Sequence, residues 1–224
     1  HLEKIKARTL MSKIIEAQIE TGQPYMLYKD SINNKSNQKN IGVIKSSNLC
    51  AEIVEYSDNN ETSVCNLASI ALPQFIKKTN NLKEYDYKKL YETAKLATKN
   101  LDQVIDINFY PTNKTETSNN KHRPIGLGIQ GLADVYFKLN IPYESEKAIE
   151  INKLIFETIY FGALEASCEL AKEKGAYSTF KGSPLSEGKF QFDLWNVKPS
   201  EMWDWDTLIE KIKKYGVRNS LTTA

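Results

Sequence analysis

The sequence predicts an α/β fold in which short strands alternate with long amphipathic helices. Apolar residues recur at helical spacing at about 86–104 and 145–174, and other segments carry short β-leaning runs. A chain of 224 residues with 41% hydrophobic content can bury a substantial core. No internal repeat or clear linker divides it. These observations favour one α/β domain over a helical bundle.

The first seventy residues are predicted to hold a helix followed by loops and strands. The helix should bury one face and stop at Gly22, since its apolar residues are Leu10, Met11, Ile14, Ile15 and Ile19. Residues 21–40 are rich in Gly, Pro, Asn, Ser and Lys, which predicts an irregular connection. Apolar runs then alternate with polar turns, which predicts strands at Gly42-Val43-Ile44, Ile53-Val54 and Val64-Cys65.

The second half is predicted to be mainly helical. Asp86 is a candidate N-cap, and a long helix should run from about Ser145 to a stop at Gly175. That helix should be buried around much of its girth, because it carries two apolar stripes. The stripes are Ile155, Ile159, Ala163, Ala166 and Leu170 on one side, and Phe161, Leu164, Cys168 and Ala171 on the other. A short aromatic strand at 190–195 and a last helix at 204–215 should follow.

A glycine pattern at 126–131 is interpreted as structural. Gly126-Leu127-Gly128-Ile129-Gln130-Gly131 spells the GxGxxG of a dinucleotide-binding turn. That turn requires a hydrophobic strand before its first glycine, whereas residues 119–123 are polar. We predict instead a short buried strand at 124–129, with glycines that allow close packing, and a helix at 131–139.

Charge and cysteine content exclude several classes of protein. The formal net charge of +2, from 30 basic and 28 acidic residues, marks neither nucleic acid nor a membrane as the partner. Three cysteines without a CxxC pair argue against a disulfide framework and a structural zinc site. Without an apolar run of about 18 residues or a signal-peptide pattern, we expect a cytoplasmic protein. Because the first residue is not Met, we expect the chain to be an excerpt of a longer protein.

The most informative stretch alternates polar and apolar side chains. In extended backbone, Asn48, Cys50 and Glu52 would point the same way and group an amide, a thiol and a carboxylate. Cys50 has no nearby base, because the only histidines are His1 and His122, so Cys-His hydrolysis is disfavoured. From spacing alone, an ordinary small buried cysteine is the favoured interpretation of Cys50.

Asn48-Leu49-Cys50-Ala51-Glu52 and Val64-Cys65-Asn66-Leu67-Ala68-Ser69 resemble the active-site segment of one enzyme family. The family is the class I ribonucleotide reductase large subunit of the eukaryotic and viral type. Similar stretches cover nearly the whole chain in order, with departures in loops such as residues 112–120. These stretches are residues 20–30, 122–134, 156–168, 203–205 and 215–220.

The resemblance implies part of a ten-stranded α/β barrel, built from two five-stranded parallel halves around a central finger loop. Residues 1–224 would belong to this one catalytic domain, with the finger at about residues 45–60 and no separate second domain. Such a barrel would exclude solvent from a reactive radical and hold the ribose within reach of it.

The resemblance also implies a role for each side chain at the finger tip. Cys50 would become the thiyl radical that abstracts the 3′ hydrogen of the substrate ribose. Glu52 would accept the proton of the 3′-hydroxyl. Asn48 would hydrogen-bond the ribose and act as a further proton acceptor, and Leu49 would join these residues in binding the substrate.

Loss of the 2′-hydroxyl as water needs two electrons, which the family takes from a pair of cysteines that end as a disulfide. Cys65 matches one of them, and the other would lie upstream of this chain, so the fragment itself is expected to be inactive. The implied partners are a ribonucleoside diphosphate, a small subunit whose metal centre generates the radical, thioredoxin or glutaredoxin, and a second full-length chain. No metal or cofactor is expected on this chain, and ATP or dNTP effectors would bind outside it.

Two other functions stay open. An anaerobic, glycyl-radical reductase shares the barrel and finger, although its motifs around the radical cysteine differ. A noncatalytic helical scaffold would be favoured if Cys50 lay deep inside a helix, far from Glu52. Cys168 is interpreted as a small core residue, and Trp195, Trp203 and Trp205 as braces for the last helix.

Overall fold

A computed structural model describes residues 4–80 and 82–222. The helices in these ranges are α1 (Ala7–Thr21), α2 (Lys29–Lys35), α3 (Tyr87–Ile107), α4 (Asn113–His122), α5 (Leu132–Leu139), α6 (Glu146–Lys174), α7 (Gln191–Leu194) and α8 (Trp205–Tyr215). The strands are β1 (Leu67–Ala71), β2 (Ile76–Thr79), β3 (Leu82–Tyr85), β4 (Pro124–Gln130) and β5 (Ser220–Thr222). The predicted α/β class is confirmed.

A three-stranded parallel sheet, in the order β1-β4-β5, is the framework on which the other elements are arranged. Leu67 pairs with Gly126, and Pro124 pairs with Ser220. Long connections between the strands, including α3 and α6, make the parallel pairing possible. Strands β2 and β3 form a separate antiparallel hairpin. Within 4–80 and 82–222 these strands do not close into a barrel.

Strand β4 confirms the structural interpretation of the glycine pattern. Its first five residues are buried, and Gly126 donates its backbone N–H to Asn66 O at 2.8 Å. The first two glycines therefore lie inside the strand rather than in a turn that holds phosphates. Gly131 has a φ of +79° and precedes α5, and a Cβ there would lie 2.8 Å from Pro73.

Helices α3 and α6 pack against each other and build much of the core. Asp86 caps α3 through a 3.0 Å bond from Lys89 N, and Ser145 caps α6 through a 3.2 Å bond from Ala148 N. Both apolar stripes of α6 are buried, as predicted. Cys168 is a core residue with 4% of its surface exposed, which confirms its structural interpretation.

Aromatic residues fill the space beside α6. Trp203 stacks on Tyr91 of α3 and Phe161 of α6, with ring centroids 4.9 and 5.2 Å apart. Trp205 begins α8 and contacts Phe161 edge-on at 5.0 Å, so these two tryptophans join the last helix to the core as expected. Trp195 is 59% exposed, and its ring contacts Lys35 Nζ, so it is not a brace for α8.

Two expectations about local structure were wrong at polar or aromatic segments. Residues 190–195 contain helix α7 rather than a strand, because Asp193 accepts a hydrogen bond from Phe190 N and closes the first turn. Residues 112–120, expected to be a loop, lie mostly in α4. This helix has few apolar residues and is started by the Thr112–Thr115 capping pair.

The opening helix α1 ends at Gly22, which adopts a left-handed conformation as predicted for its cap. Its apolar face is not buried by the described residues. Leu10, Met11 and Ile19 are 49%, 47% and 80% exposed. No helix in the described ranges is long and apolar enough to cross a membrane.

Candidate active site

A tight turn carries the candidate radical cysteine. Ala51 N donates to Asn48 O at 3.1 Å, and Ala51 has a φ of +64°, a left-handed conformation that is unusual for alanine. Asn48 Oδ1 accepts a 3.1 Å bond from Ile53 N, which closes the loop at its base. The expectation that Asn48, Cys50 and Glu52 share one face of an extended strand was therefore wrong, because the chain reverses direction between them.

Exposure changes steeply across this turn. Leu49 at its tip is 91% exposed, and Cys50 is also exposed, whereas Ile53 is 3% exposed. The turn therefore projects from an anchored base. The shielding expected around Cys50 is not supplied by the described residues, since their strands do not enclose it.

A second thiol and two carboxyl groups lie together behind the turn. The pKa of Cys65 is raised to about 12, mainly by burial and then by the negative charges of Glu55 and Glu52. The three side chains therefore share one electrostatic neighbourhood. The Cys65 thiol is partly buried and stays protonated at neutral pH.

The two carboxyl groups of this neighbourhood each have an oxygen that is shielded from water. Neither Glu52 Oε2 nor Glu55 Oε2 has a hydrogen-bond partner among the described residues. Glu55 is 6% exposed, and burial raises the pKa of its carboxyl group to about 8. Glu55 is therefore largely a neutral acid at pH 7, able to give up a proton.

Side-chain hydrogen bonds hold the backbone on both sides of the cysteine turn, at Ile44 and at Tyr56. Asn33 accepts from Ile44 N at 2.8 Å and donates to Ile44 O at 2.9 Å, as a neighbouring strand would. Gln38 Oε1 accepts from Tyr56 N at 2.7 Å. The predicted strands at 42–44, 53–54 and 64–65 were wrong, because these side-chain bonds take the place of ladder pairing.

A hairpin-like reversal aligns the two parts of this segment. Asp58 N donates to Glu61 O at 2.9 Å, and Asp58 Oδ1 accepts from Asn60 N at 2.7 Å. On either side, Ser57 Oγ and Ser63 Oγ lie 2.9 Å apart, and Ser63 N also donates to Ser57 Oγ at 2.9 Å. The chain before the reversal therefore runs alongside the chain after it.

A buried histidine fixes this reversal to the rest of the molecule. His122 Nε2 lies 3.0 Å from Glu61 Oε1, and His122 Nδ1 lies 2.8 Å from Thr179 Oγ1. Lys121 Nζ also contacts Glu61, at 3.1 Å. Burial lowers the pKa of His122, against the opposing effect of Glu61. His122 lies 72 positions after Cys50 and 61 after Glu61 in the sequence, and spacing gives no signal of its pairing with Glu61.

Asn66 joins the site to the parallel sheet. Its Nδ2 donates to Asn119 Oδ1 at 3.0 Å and to Pro124 O at 2.9 Å, and all of these contacts are buried. Because Asn66 follows Cys65 directly, these bonds fix the thiol relative to strand β4. Of the predicted residues, Glu52 and Cys65 share one electrostatic neighbourhood, and Asn48, Leu49 and Cys50 lie in the turn that leads to Glu52.

The described residues therefore combine a parallel α/β sheet with a turn-mounted thiol, a second thiol and two carboxyl groups. A family model described as "Ribonucleotide reductase, barrel domain" matches residues 1–224. The chain belongs to this family.

Named relatives agree with this assignment. The chain is 59% identical to ribonucleoside-diphosphate reductase large chain 2 of Saccharomyces cerevisiae, over 98% of this chain and 26% of that protein. It is 56% identical to the large subunit of Variola virus, over 98% of the chain and 28% of that protein. The large subunit of Acanthamoeba polyphaga mimivirus is 54% identical over 100% of the chain and 26% of that protein. The chain spans about a quarter of the length of these relatives.

Proposed function

We propose that this chain is the catalytic barrel section of a ribonucleoside-diphosphate reductase large subunit, which reduces ribonucleotides to 2′-deoxyribonucleotides for DNA synthesis. One observation carries the proposal beyond family membership: Glu52 connects the thiol turn with the second thiol. It lies two residues after Cys50 in the same turn region, and its charge acts on Cys65. A single bound ribose would need such an arrangement to contact both thiols and the Glu52 carboxyl group.

The turn residues act on the ribose. Cys50, as a thiyl radical, takes the 3′ hydrogen and becomes a thiol, which leaves the radical on the sugar. Glu52, with one shielded and unpartnered oxygen, accepts the proton of the 3′-hydroxyl. Asn48 hydrogen-bonds the ribose and assists as a proton acceptor, and the exposed Leu49 contacts the substrate. The anchored base of the turn holds these groups in register.

Cys65 supplies reducing equivalents. The 2′-hydroxyl leaves as water, and the two electrons come from the Cys65 thiol and a second cysteine outside this chain, which end as a disulfide. The high pKa of the Cys65 thiol keeps its proton available for this step. A dithiol protein of the thioredoxin or glutaredoxin class then restores both thiols. This cycle needs a reducing compartment, so we place the protein in the cytoplasm.

The complete site requires more chain than the described residues. We propose that the parallel sheet β1-β4-β5 is part of a ten-stranded barrel, with residues 45–60 as its finger loop and the barrel wall shielding Cys50. A small subunit with a metal centre would generate the radical, and the full-length chain would form a homodimer. The scaffold alternative is less well supported, because Cys50 lies in an exposed turn, two residues before Glu52, rather than inside a helix. The relatives' names favour a diphosphate reductase over the anaerobic type.

Substitution of the turn cysteine tests the proposal. In the full-length large subunit, assayed with its small subunit and a dithiol reductant, Cys50→Ser should abolish reduction of a ribonucleoside diphosphate. Nucleotide binding should persist, because serine preserves the size of the side chain. Cys168→Ala, which removes a core thiol far from the turn in sequence, should keep most activity. Full activity in Cys50→Ser would refute the proposed role.

A further inference from the structure

The side chain of Glu55 is not used by the chemistry described above, although it lies beside a reacting thiol. It is 6% exposed, and its Oε2 has no hydrogen-bond partner among the described residues. A buried carboxyl group without a partner is costly to keep in a folded protein. Its position therefore indicates a function that a hydrocarbon side chain would not provide.

The hairpin-like reversal brings the chain that carries Glu55 alongside the chain that carries Cys65. Ser57 and Ser63 are aligned by two contacts of 2.9 Å. Continuing this alignment by two residues in each direction reaches Glu55 on one side and Cys65 on the other, and a step of two returns to the same face. The effect of Glu55 on the Cys65 thiol agrees with this alignment and is larger than that of Glu52.

No other charged group in the described ranges competes for this pair. Burial alone accounts for the raised pKa of Glu55, and the charges that act on Cys65 are those of Glu55 and Glu52. Among residues 4–80 and 82–222, no cation stabilises the thiolate form of Cys65. A thiolate formed at Cys65 would therefore be a poor leaving group unless a neighbouring acid protonated it.

Resting on the function proposed above, we propose that Glu55 is the proton relay of Cys65 during recovery of the reduced site. The reductant's thiolate attacks the sulfur of the second cysteine, and a new S–S bond forms there. The bond to Cys65 breaks, and its electron pair stays on the Cys65 sulfur. The Glu55 carboxyl group gives its proton to that sulfur and becomes a carboxylate. The reductant's second thiol returns a proton to Glu55 and, as a thiolate, attacks the reductant's sulfur in the mixed disulfide. The reductant's own disulfide forms, and the second cysteine leaves as a thiolate that takes its proton from solvent.

The proton balance of this step follows from the acidities of the two groups. The Glu55 carboxyl group, with a pKa of about 8, is a far stronger acid than the Cys65 thiol, with a pKa of about 12, so the transfer is favourable. Above about pH 8 the relay is already ionised and has no proton to give. Recovery should therefore slow with a midpoint near pH 8.

The first experiment follows the Cys65 thiol itself and does not depend on turnover. Full-length protein is alkylated with iodoacetamide across pH 7–11, and the rate at Cys65 is read by mass spectrometry. Glu55→Gln removes the negative charge without changing the shape of the side chain, so alkylation of Cys65 should be faster than in the parent at each pH above about 8, where Glu55 of the parent is ionised. Glu84→Gln, which removes an exposed charge from β3, should leave the alkylation rate at each pH unchanged. Superimposable profiles for the parent and Glu55→Gln would overturn the proposal.

The second experiment separates recovery from substrate chemistry. Glu55→Gln should lower the steady-state rate with a dithiol reductant by about 100-fold, within the range of general acid catalysis, and should lose the fall in rate near pH 8. A single turnover by pre-reduced enzyme should stay within twofold of the parent. Equal losses in both assays would show a structural role instead and overturn the relay.

A matched variant and the parent enzyme complete the test. Glu55→Leu, which also lacks a proton but fills the buried space, should show the same selective loss in recovery while melting no lower than the parent. If the parent enzyme reduces no nucleotide, the proposed function fails, whereas the change in alkylation rate at Cys65 still tests the contact with Glu55.

Discussion

The buried carboxylate of Asp102 is predicted to stabilise the framework of the site more than any surface ion pair. Asp102 is fully buried, and its Oδ1 accepts from Arg123 Nε at 2.9 Å, from Arg123 Nη2 at 2.7 Å and from Asn219 Nδ2 at 2.9 Å. Arg123 precedes β4 and Asn219 precedes β5, so one carboxylate on α3 fixes two strands of the sheet.

Asp102→Ala would leave Arg123, which is 4% exposed, without its main partner. Breaking one side of a buried ion pair costs about 3–5 kcal/mol. Asp106 also accepts from Arg123, at 2.8 Å, but its side chain is 46% exposed, so Asp106→Ala should cost only about 0–1 kcal/mol. Both free energies of unfolding can be measured by urea titration, followed through the fluorescence of the core tryptophans. A cost below about 1 kcal/mol for Asp102→Ala, or equal costs for the two variants, would refute this reasoning.

Two further predictions concern packing and pH. A Cβ at Gly162 would lie 2.9 Å from the backbone oxygen of Tyr91. Gly162→Ala should therefore force α6 and α3 apart, lower the free energy of unfolding by about 1–3 kcal/mol and lower the melting temperature. An unchanged melting temperature would contradict this contact. The pKa of the Glu55 carboxyl group is about 8 in the folded chain and ordinarily 4.5. Between these pH values the folded state retains a proton that the unfolded state releases. The free energy of unfolding should therefore fall as pH rises from 4.5 to 8. Between pH 5 and 8 the parent should lose roughly 2–5 kcal/mol of unfolding free energy, and Glu55→Gln should remove this loss. Urea titrations at pH 5 and pH 8 measure the difference. An equal change in unfolding free energy for the parent and the variant would contradict the prediction.

Helices were predictable where periodicity and capping agree. Asp86, Ser145 and Gly175 mark ends that the structure reproduces, because each satisfies backbone groups that the helix itself leaves unpaired. Helix α4 escaped prediction because its capping pair of threonines is followed by polar residues, which carry no apolar period.

The resemblance proposes Cys50, Glu52 and Cys65 as site residues, and their roles stay predictions. The extended backbone expected from Asn48 to Glu52 was wrong. The hydrogen bonds between Asn33 and Ile44 join residues 11 positions apart, and the bond from Tyr56 to Gln38 joins residues 18 positions apart. Such side-chain contacts leave no signal in the local sequence pattern. Glu55 was missed for a similar reason, since an acid after two apolar residues looks like an exposed strand position.

The exposed face of α1 illustrates the remaining difference between pattern and structure. Its apolar spacing correctly predicted a helix, yet the described residues do not cover that face. Periodicity gives the side of a helix that can be buried, and only tertiary contacts decide what buries it. The proposed ten-stranded barrel would likewise require strands beyond the three in the parallel sheet.

Protection of the thiols by substrate tests the central claim most directly. The full-length large subunit is treated with iodoacetamide, with and without a saturating ribonucleoside diphosphate such as CDP, and alkylation of each cysteine is followed by mass spectrometry. CDP should slow alkylation of Cys50 and Cys65 together, with the same concentration dependence, and leave Cys168 unchanged. Protection of only one of the two site cysteines would show that they do not meet one ligand and would contradict the account.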